Sequence, residues 1–105
     1  MAKYVLVYKG GGGMPQDDGE RNAQLAAWGR WYDGLGAAIV DGGNPFGPSV
    51  ALAADGTSSP GAPSGLTGYT ILSADSLEAA TVLAKGCPIL ANGGSVELYE
   101  TFEIM

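Results

Sequence analysis

The chain contains no histidine, so the side chains that could do chemistry are carboxylates, tyrosines and lysines. Histidine is the commonest general base and the commonest metal ligand in proteins, and its absence excludes tight zinc sites built from cysteine and histidine. Any acid–base step must therefore use Asp, Glu, Lys or Tyr. The polar residues that we select as candidates for a pocket are Tyr8, Asp41, Tyr69 and Glu100, and we expect neither a metal nor a cofactor.

Two tyrosines are the first candidates for polar groups inside a cavity. Counting alternate residues along each predicted strand places Tyr8 with Leu6 and Tyr69 with Ile71, and we expect both tyrosines to face the same cavity. Their hydroxyl groups need hydrogen-bond partners if they are buried. Glu100 interrupts an apolar set in the last strand, so it lies either near a sheet edge or in a polar pocket. A carboxylate in an apolar cavity would have a raised pKa and could act as a base.

Three further pocket candidates have two interpretations each. Asp41 follows a strand and enters a glycine-rich turn, where it could be functional or could bond to its own backbone, and the second role is favoured. Trp28 and Trp31, the latter interchangeable with Tyr32, lie along one side of a predicted helix. They could form the wall of a ligand pocket, but aromatic stripes more often belong to a core or a dimer interface.

Cys87 is the single cysteine of the chain, which excludes an internal disulfide and fits a reducing compartment. A catalytic thiolate needs a histidine or another cationic partner, and the apolar stripe that contains Cys87 does not offer one. We therefore expect Cys87 to be a small buried hydrophobic residue at the end of a helix.

The elements that must position these residues follow from periodicity, caps and breakers. The opening strand is apolar on both faces, which is typical of a central strand. The stretch from Gly65 to Pro88 predicts a strand, a helix capped by Asp75 or Ser76, and a stop before Pro88. The predicted segments are strand Lys3–Lys9, helix Glu20–Leu35, strand Ala37–Val40, a minor strand within Ser49–Ala54, a loop over Asp55–Ser64, strand Tyr69–Leu72 with its helix, and strand Ser95–Ile104.

This order is β-α-β-β-α-β, and it predicts an α+β fold with a ferredoxin-like layout and an antiparallel four-stranded sheet. The length of 105 residues predicts one domain that spans residues 1–105. Two helices can cover only one face of such a sheet, and the first and third strands are apolar on both faces. We therefore expect a homodimer in which two sheets pack face to face.

Charge and hydropathy limit the partners. The net charge of −6 argues against binding to nucleic acid or to an anionic membrane surface. No segment has the run of about 20 apolar residues that spans a bilayer. The chain starts with Met1-Ala2-Lys3 and then a strand, which is not the pattern of a secretion signal, so the expected location is the cytoplasm.

With these elements in place, the chain resembles the YCII-related family, close to its DGPF subgroup, within the dimeric α+β barrel superfamily. The resemblance covers nearly the whole chain and depends on the segments YVLVYK, AWGRWYDGLGAAIVDGG, PGAPSGLTGYTILSADSLEAATVLAKGCP and GGSVELYETFEI. The signature of the DGPF subgroup is absent, because the loop between the middle strands reads SSPGAPSGLTG.

The resemblance implies a small-molecule pocket between the sheet and its dimer mate, and a His–Asp pair as the family's proposed active site. The expected positions of that pair are occupied here by Leu25 and Ser59. Two hypotheses follow. One is a dimeric small-molecule-binding or structural protein that lacks the His–Asp pair. The other is an enzyme, of the isomerase or lyase type, that uses a carboxylate or a tyrosine in the barrel cavity.

Overall fold

A computed structural model describes residues 2–10 and 17–104 of the chain. The elements are β1 (Ala2–Lys9), α1 (Asp18–Leu35), β2 (Ile39–Asp41), β3 (Val50–Leu52), β4 (Ser58–Pro60), β5 (Leu66–Ala74), α2 (Leu77–Ala84), α3 (Pro88–Ala91) and β6 (Ser95–Glu100). None of the helices in this part of the chain is long and apolar enough to cross a membrane.

The main sheet has four antiparallel strands in the order β2-β5-β1-β6. This confirms the predicted α+β class and the antiparallel four-stranded sheet. Strands β3 and β4 form a separate two-stranded hairpin, so the predicted minor strand is present and the predicted loop contains a strand of its own.

The helix starts follow from their caps. The Asp17 carboxylate accepts a hydrogen bond from the Glu20 N–H at 3.0 Å, and the Ser76 hydroxyl accepts one from the Ala79 N–H at 3.0 Å. Ser76, rather than Asp75, is therefore the cap of α2. The helix ends before Pro88, as predicted, and Pro88 then starts α3, where its missing N–H has no helical partner to lose.

The last strand is shorter than the sequence predicts. β6 ends at Glu100, and Thr101 follows it with two hydrogen bonds, from its backbone N–H and from its hydroxyl, to the carbonyl of Lys3, both at 2.9 Å. Phe102 and Ile104 continue in the sequence the alternation of Val96 and Leu98, but their side chains are 82% and 80% exposed. The alternation therefore continues in the sequence beyond the point where a neighbouring strand can pair with it.

The two faces of the main sheet differ in their cover. On the helix-covered face, Tyr4, Leu6 and Tyr8 of β1 pack with Thr70 and Leu72 of β5, and all five are buried. Beneath them lie the apolar side chains of the three helices, Trp31, Leu35, Ala84 and Ile89. The alternate residues form the open face, which we define as Val5, Val7, Tyr69 and Ile71, and which is only half-buried.

The prediction that the side chains of Tyr8 and Tyr69 lie on the same side of the sheet is wrong. The register of β1 and β5 places Tyr69 opposite Val7, and Gly68 opposite Tyr8. Residues that are directly opposite in an antiparallel pair share a face. Tyr8 therefore belongs to the helix-covered face and Tyr69 to the open face.

Candidate functional site: an aromatic cleft at the end of the sheet

A cleft of about 390 Å³ lies where α1 crosses the end of β1 and meets the loop that follows β2. We call this site the cleft and define it by its lining residues. Its aromatic residues are Tyr8, Trp28, Tyr32 and Tyr69, and its polar side chains are those of Gln24, Asn44, Thr67 and Asn92. The volume is within the range of about 300–1,000 Å³ that is usual for small-molecule pockets.

The aromatic wall is built from α1 and β1. Trp28 and Tyr32 are four residues apart, so they lie on the same side of α1. The ring of Trp28 packs edge-on against Tyr8, with centroids 5.3 Å apart and ring planes at 71°, and its centroid is 5.9 Å from that of Tyr32. This edge-to-face arrangement is the one that aromatic quadrupoles favour. The three rings therefore form one continuous apolar surface.

The hydroxyl groups below this wall belong to one hydrogen-bond network. Thr70 donates its hydroxyl proton to the Gly42 carbonyl at 2.9 Å, and Tyr32 donates to the same carbonyl at 3.0 Å. Because the Thr70 proton is used there, the Tyr8 hydroxyl donates to the Thr70 oxygen. The network joins the loop after β2 to both the sheet and α1.

Burial makes these hydroxyls poor proton donors to a reaction. Loss of water raises the pKa of Tyr8 strongly and also raises the pKa of Tyr32. Cys87, which is buried beside Tyr8 as predicted, has its pKa raised to about 11 by the same desolvation. At neutral pH these groups are all uncharged.

The loop after β2 approaches the sheet closely because two glycines allow it. Gly43 has a φ of +76°, and a Cβ there would overlap the carbonyl of Tyr69. At Gly68 a Cβ would press against the Tyr8 ring, the Asn44 carbonyl and Pro45, all at 3.1–3.3 Å. Any other residue at Gly43 would push the loop away from the sheet, and a side chain at Gly68 would require its neighbours to move by a few tenths of an ångström.

Asp41 orders the start of that loop. One carboxylate oxygen accepts a hydrogen bond from the Gly43 N–H at 2.9 Å, and the other accepts from the Tyr69 hydroxyl at 3.2 Å. The first bond is the turn role that the sequence favours for this residue. Asp41 is exposed and does not line the cleft, so it holds the loop rather than facing a ligand.

Three of the six predicted pocket residues line the cleft, and the other three lie outside its lining. Tyr8 and Trp28 line the cleft from the helix-covered face, and Tyr69 lies at its rim. Trp31 is in the core, where its indole N–H donates to the Leu83 carbonyl at 3.0 Å. Glu100 is on the edge strand β6 and accepts a hydrogen bond from Tyr4 at 2.8 Å, at a position that does not line the cleft.

Several residues of the cleft were not selected from the sequence. Tyr32 was named only as an alternative to Trp31, although its spacing of four from Trp28 is the signal that unites these two. Thr70 is a polar residue within an apolar strand, which is a usual sign of an internal hydrogen bond. The contributions of Gln24, Asn44 and Asn92 left no comparable signal, because they depend on how separate elements meet.

A larger and more open depression of about 930 Å³ lies between α1 and the turn that joins α2 to α3. Charged side chains surround it, among them Glu20, Arg30 and Lys85. It is broad and open to solvent, whereas the cleft is narrower and has aromatic walls. Small-molecule sites are mostly concave and apolar with a few polar groups, so we assign the candidate site to the cleft.

Within the described ranges, no three side chains of the metal-binding types come together. No protein-family model matches the chain, and no characterised protein matches its sequence.

Proposed function

We propose that this protein is a homodimeric small-molecule-binding protein, related to the YCII family and lacking that family's His–Asp pair. The observation that supports binding most directly is the cleft. Its aromatic wall of Tyr8, Trp28 and Tyr32 offers apolar surface, and the amides of Gln24 and Asn44 offer polar contacts beside it. Preformed clefts of this composition are typical of ligand sites.

A ferredoxin-like scaffold is part of the proposal. Without the β3–β4 hairpin, the remaining elements read β-α-β-β-α-β, with the short helix α3 added after the second helix. The strand order β2-β5-β1-β6 places the first and third strands of that set in the centre, as the layout requires. Residues of α1, α2 and α3 share one core cluster with Leu6 and Leu72, so the helices lie on one face.

The open face supports the homodimer. Val5, Val7 and Ile71 are apolar and half-buried, and Phe46 stacks on Tyr69 beside them with centroids 5.8 Å apart. A contiguous apolar patch on a soluble chain marks an interaction surface. A second copy of the same sheet would cover it by a two-fold contact, as in a dimeric α+β barrel.

The β3–β4 hairpin adds a second argument for association. Val50 and Leu52 in β3 are 58% and 70% exposed, and β4 is exposed throughout. A two-stranded hairpin is only marginally stable in water when nothing packs against it. Contact with a second copy would give these two side chains an apolar neighbour.

The two positions expected for the His–Asp pair lie in different parts of this structure. Leu25 lines the cleft and is 55% exposed, whereas Ser59 is in the hairpin strand β4. The alternative hypothesis, an isomerase or lyase that uses a carboxylate or a tyrosine, has less support. The described residues that line the cleft include no carboxylate, and the raised pKa of Tyr8 makes it a weak acid–base group at neutral pH.

Location and partners complete the proposal. The acidic net charge supports a protein that binds neither nucleic acid nor an anionic membrane. The only cysteine is a free, buried thiol, which supports a cytoplasmic location.

The proposed function is tested by titrating the full chain with 2-naphthol and recording backbone amide chemical shifts by NMR. We expect the largest shifts at Gly42, Gly43 and Gly68, which line the cleft. The amides of Ala53 and Gly56 in the hairpin are the internal control. Shifts that are absent, or that are no larger at the cleft than in the hairpin, would contradict binding at this site.

A further inference from the structure

The charge pattern around the cleft defines the chemistry of its ligand, provided that the proposed binding function holds. Among the described residues that line the cleft, none is Asp, Glu, Lys or Arg. Carboxylates and phosphates are recognised mainly by arginine, lysine or clustered backbone N–H groups. The cleft offers a ligand no cationic side chain from the described part of the chain.

The loop that lines one side of the cleft follows an acidic residue, Asp41. Asp41 accepts a hydrogen bond from Tyr69 at the rim, and its second oxygen is bonded to the Gly43 N–H. An anionic ligand at this rim would meet a carboxylate of the same charge. Asp41 is exposed and lies outside the cleft, so its charge is screened by water and is not an ion-pair partner for a cation bound among the rings.

The polar groups that do line the cleft suit an uncharged ligand. Gln24 and Asn44 have amide side chains, which can both donate and accept hydrogen bonds. Placing a charge against the rings of Tyr8, Trp28 and Tyr32 without an opposite charge would remove water from that charge at a large cost. For a cation, attraction to the ring faces offsets only part of that cost. A hydroxyl, carbonyl or amide of the ligand would instead find a partner of matching polarity.

We propose that the cleft binds an uncharged, ring-containing molecule with a hydroxyl, carbonyl or amide group, and that it discriminates against carboxylates and ammonium ions. The volume of about 390 Å³ accommodates one or two fused rings. The rings of the ligand lie against the aromatic wall, and its polar group faces the amide side chains.

Three probes of nearly equal shape and different charge test this inference. They are 2-naphthol, 2-naphthoate and 2-naphthylmethylammonium, titrated into the full chain at pH 7. Binding is followed at the indole N–H signals, with Trp28 as the reporter in the cleft. The backbone amides of Ala53 and Gly56 in the hairpin are the reference, because the Trp31 ring packs directly against the Trp28 ring and would respond to the same ligand. We expect 2-naphthol to bind at least about tenfold more tightly than either charged probe, since each would bury an unpaired charge.

A matched pair of variants tests whether charge in the cleft decides the preference. Leu25 lines the cleft and is 55% exposed, so Leu25→Lys adds a cation there without disturbing the core. Val82 is 67% exposed on α2 and does not line the cleft, so Val82→Lys is the control. We expect Leu25→Lys to shift the preference toward 2-naphthoate by about tenfold, and Val82→Lys to leave it unchanged.

The outcomes separate this inference from the proposed function. Binding of 2-naphthoate or of the ammonium probe as tightly as 2-naphthol would overturn the ligand class and leave binding in place. An unchanged preference in Leu25→Lys would also overturn it. No shift of the Trp28 signal with any of the three probes would contradict the proposed function itself.

Discussion

The two faces of the main sheet are built from the same strands, but they differ in how completely their side chains are buried. Leu6 and Leu72 on the helix-covered face are 0% exposed, whereas their chain neighbours Val7 and Ile71 on the open face are half-buried. Both sets are apolar. The difference shows that the helices of one chain cover only one face of the sheet. The second face is also apolar, although nothing in one chain covers it fully.

The largest effect is expected when a charge is placed on the open face. Ile71→Lys would put one lysine from each copy into the proposed dimer interface, and we expect association to weaken by about 4 kcal/mol, close to a thousandfold. The variant should keep the helical content of the wild type, because Ile71 does not contact the helix-side core. Sedimentation equilibrium gives the association constant, and circular dichroism checks the fold.

Val82→Lys is the control for that substitution, since it adds the same charge at an exposed position on α2. It should leave association unchanged. If Ile71→Lys associates as strongly as Val82→Lys, the open face is not the interface.

The next largest effect is expected in the free energy of unfolding, when substitutions on the two faces of β1 are compared. Leu6→Ala removes a fully buried side chain, and we expect it to lower the free energy of unfolding by about 3 kcal/mol through lost burial and a residual cavity. In the monomeric Ile71→Lys background, Val7→Ala should lower it by only about 1 kcal/mol. Urea denaturation of both variants in that background measures the two values. Equal losses would show that the faces are covered equally within one chain.

The third prediction concerns the stability of the folded chain at alkaline pH, which depends on Cys87 beneath the helix-covered face. Burial raises the pKa of Cys87 to about 11 from its ordinary value of 9.0, so the unfolded chain loses this proton first as the pH rises. The contribution of the protonated Cys87 thiol to the stability of the folded chain is complete below pH 9 and is lost between pH 9 and pH 11. We expect the free energy of unfolding to fall by about 2–3 kcal/mol over this interval from Cys87 alone.

Cys87→Ala provides the comparison for this pH dependence. The remaining loss of stability in that variant reports the buried tyrosines, and its slope should be smaller by about 1.4 kcal/mol per pH unit. Urea denaturation at closely spaced pH values gives both slopes. Identical slopes in the two proteins would mean that Cys87 titrates normally.

Much of the fold could be predicted from local signals. Asp17 and Ser76 cap their helices, and the alternation of Tyr4 to Tyr8 identifies a strand with two apolar faces. Each of these signals depends only on residues that are close in sequence. The extent of β6 could not be predicted in the same way, since a strand ends where its neighbour ends.

The cleft was less predictable because it depends on register and on loop approach. Alternation along a strand correctly groups Tyr8 with Leu6 and Tyr69 with Ile71, but it does not say which group of one strand faces which group of the other. The register that places Val7 opposite Tyr69 is a property of the assembled sheet. In the same way, no local pattern shows that Gly43 lets a loop contact the backbone of Tyr69.

The most direct test of the account is the mass of the wild-type chain in solution, because we propose that a second copy covers the open face of the sheet. Sedimentation equilibrium at about 10 µM, a concentration at which a specific dimer of ordinary affinity is populated, measures it. The mass of one chain is 10.6 kDa, and we expect the measured mass to be twice that value. A mass of 10.6 kDa at this concentration would contradict the account, since the open face would then be exposed in the working protein.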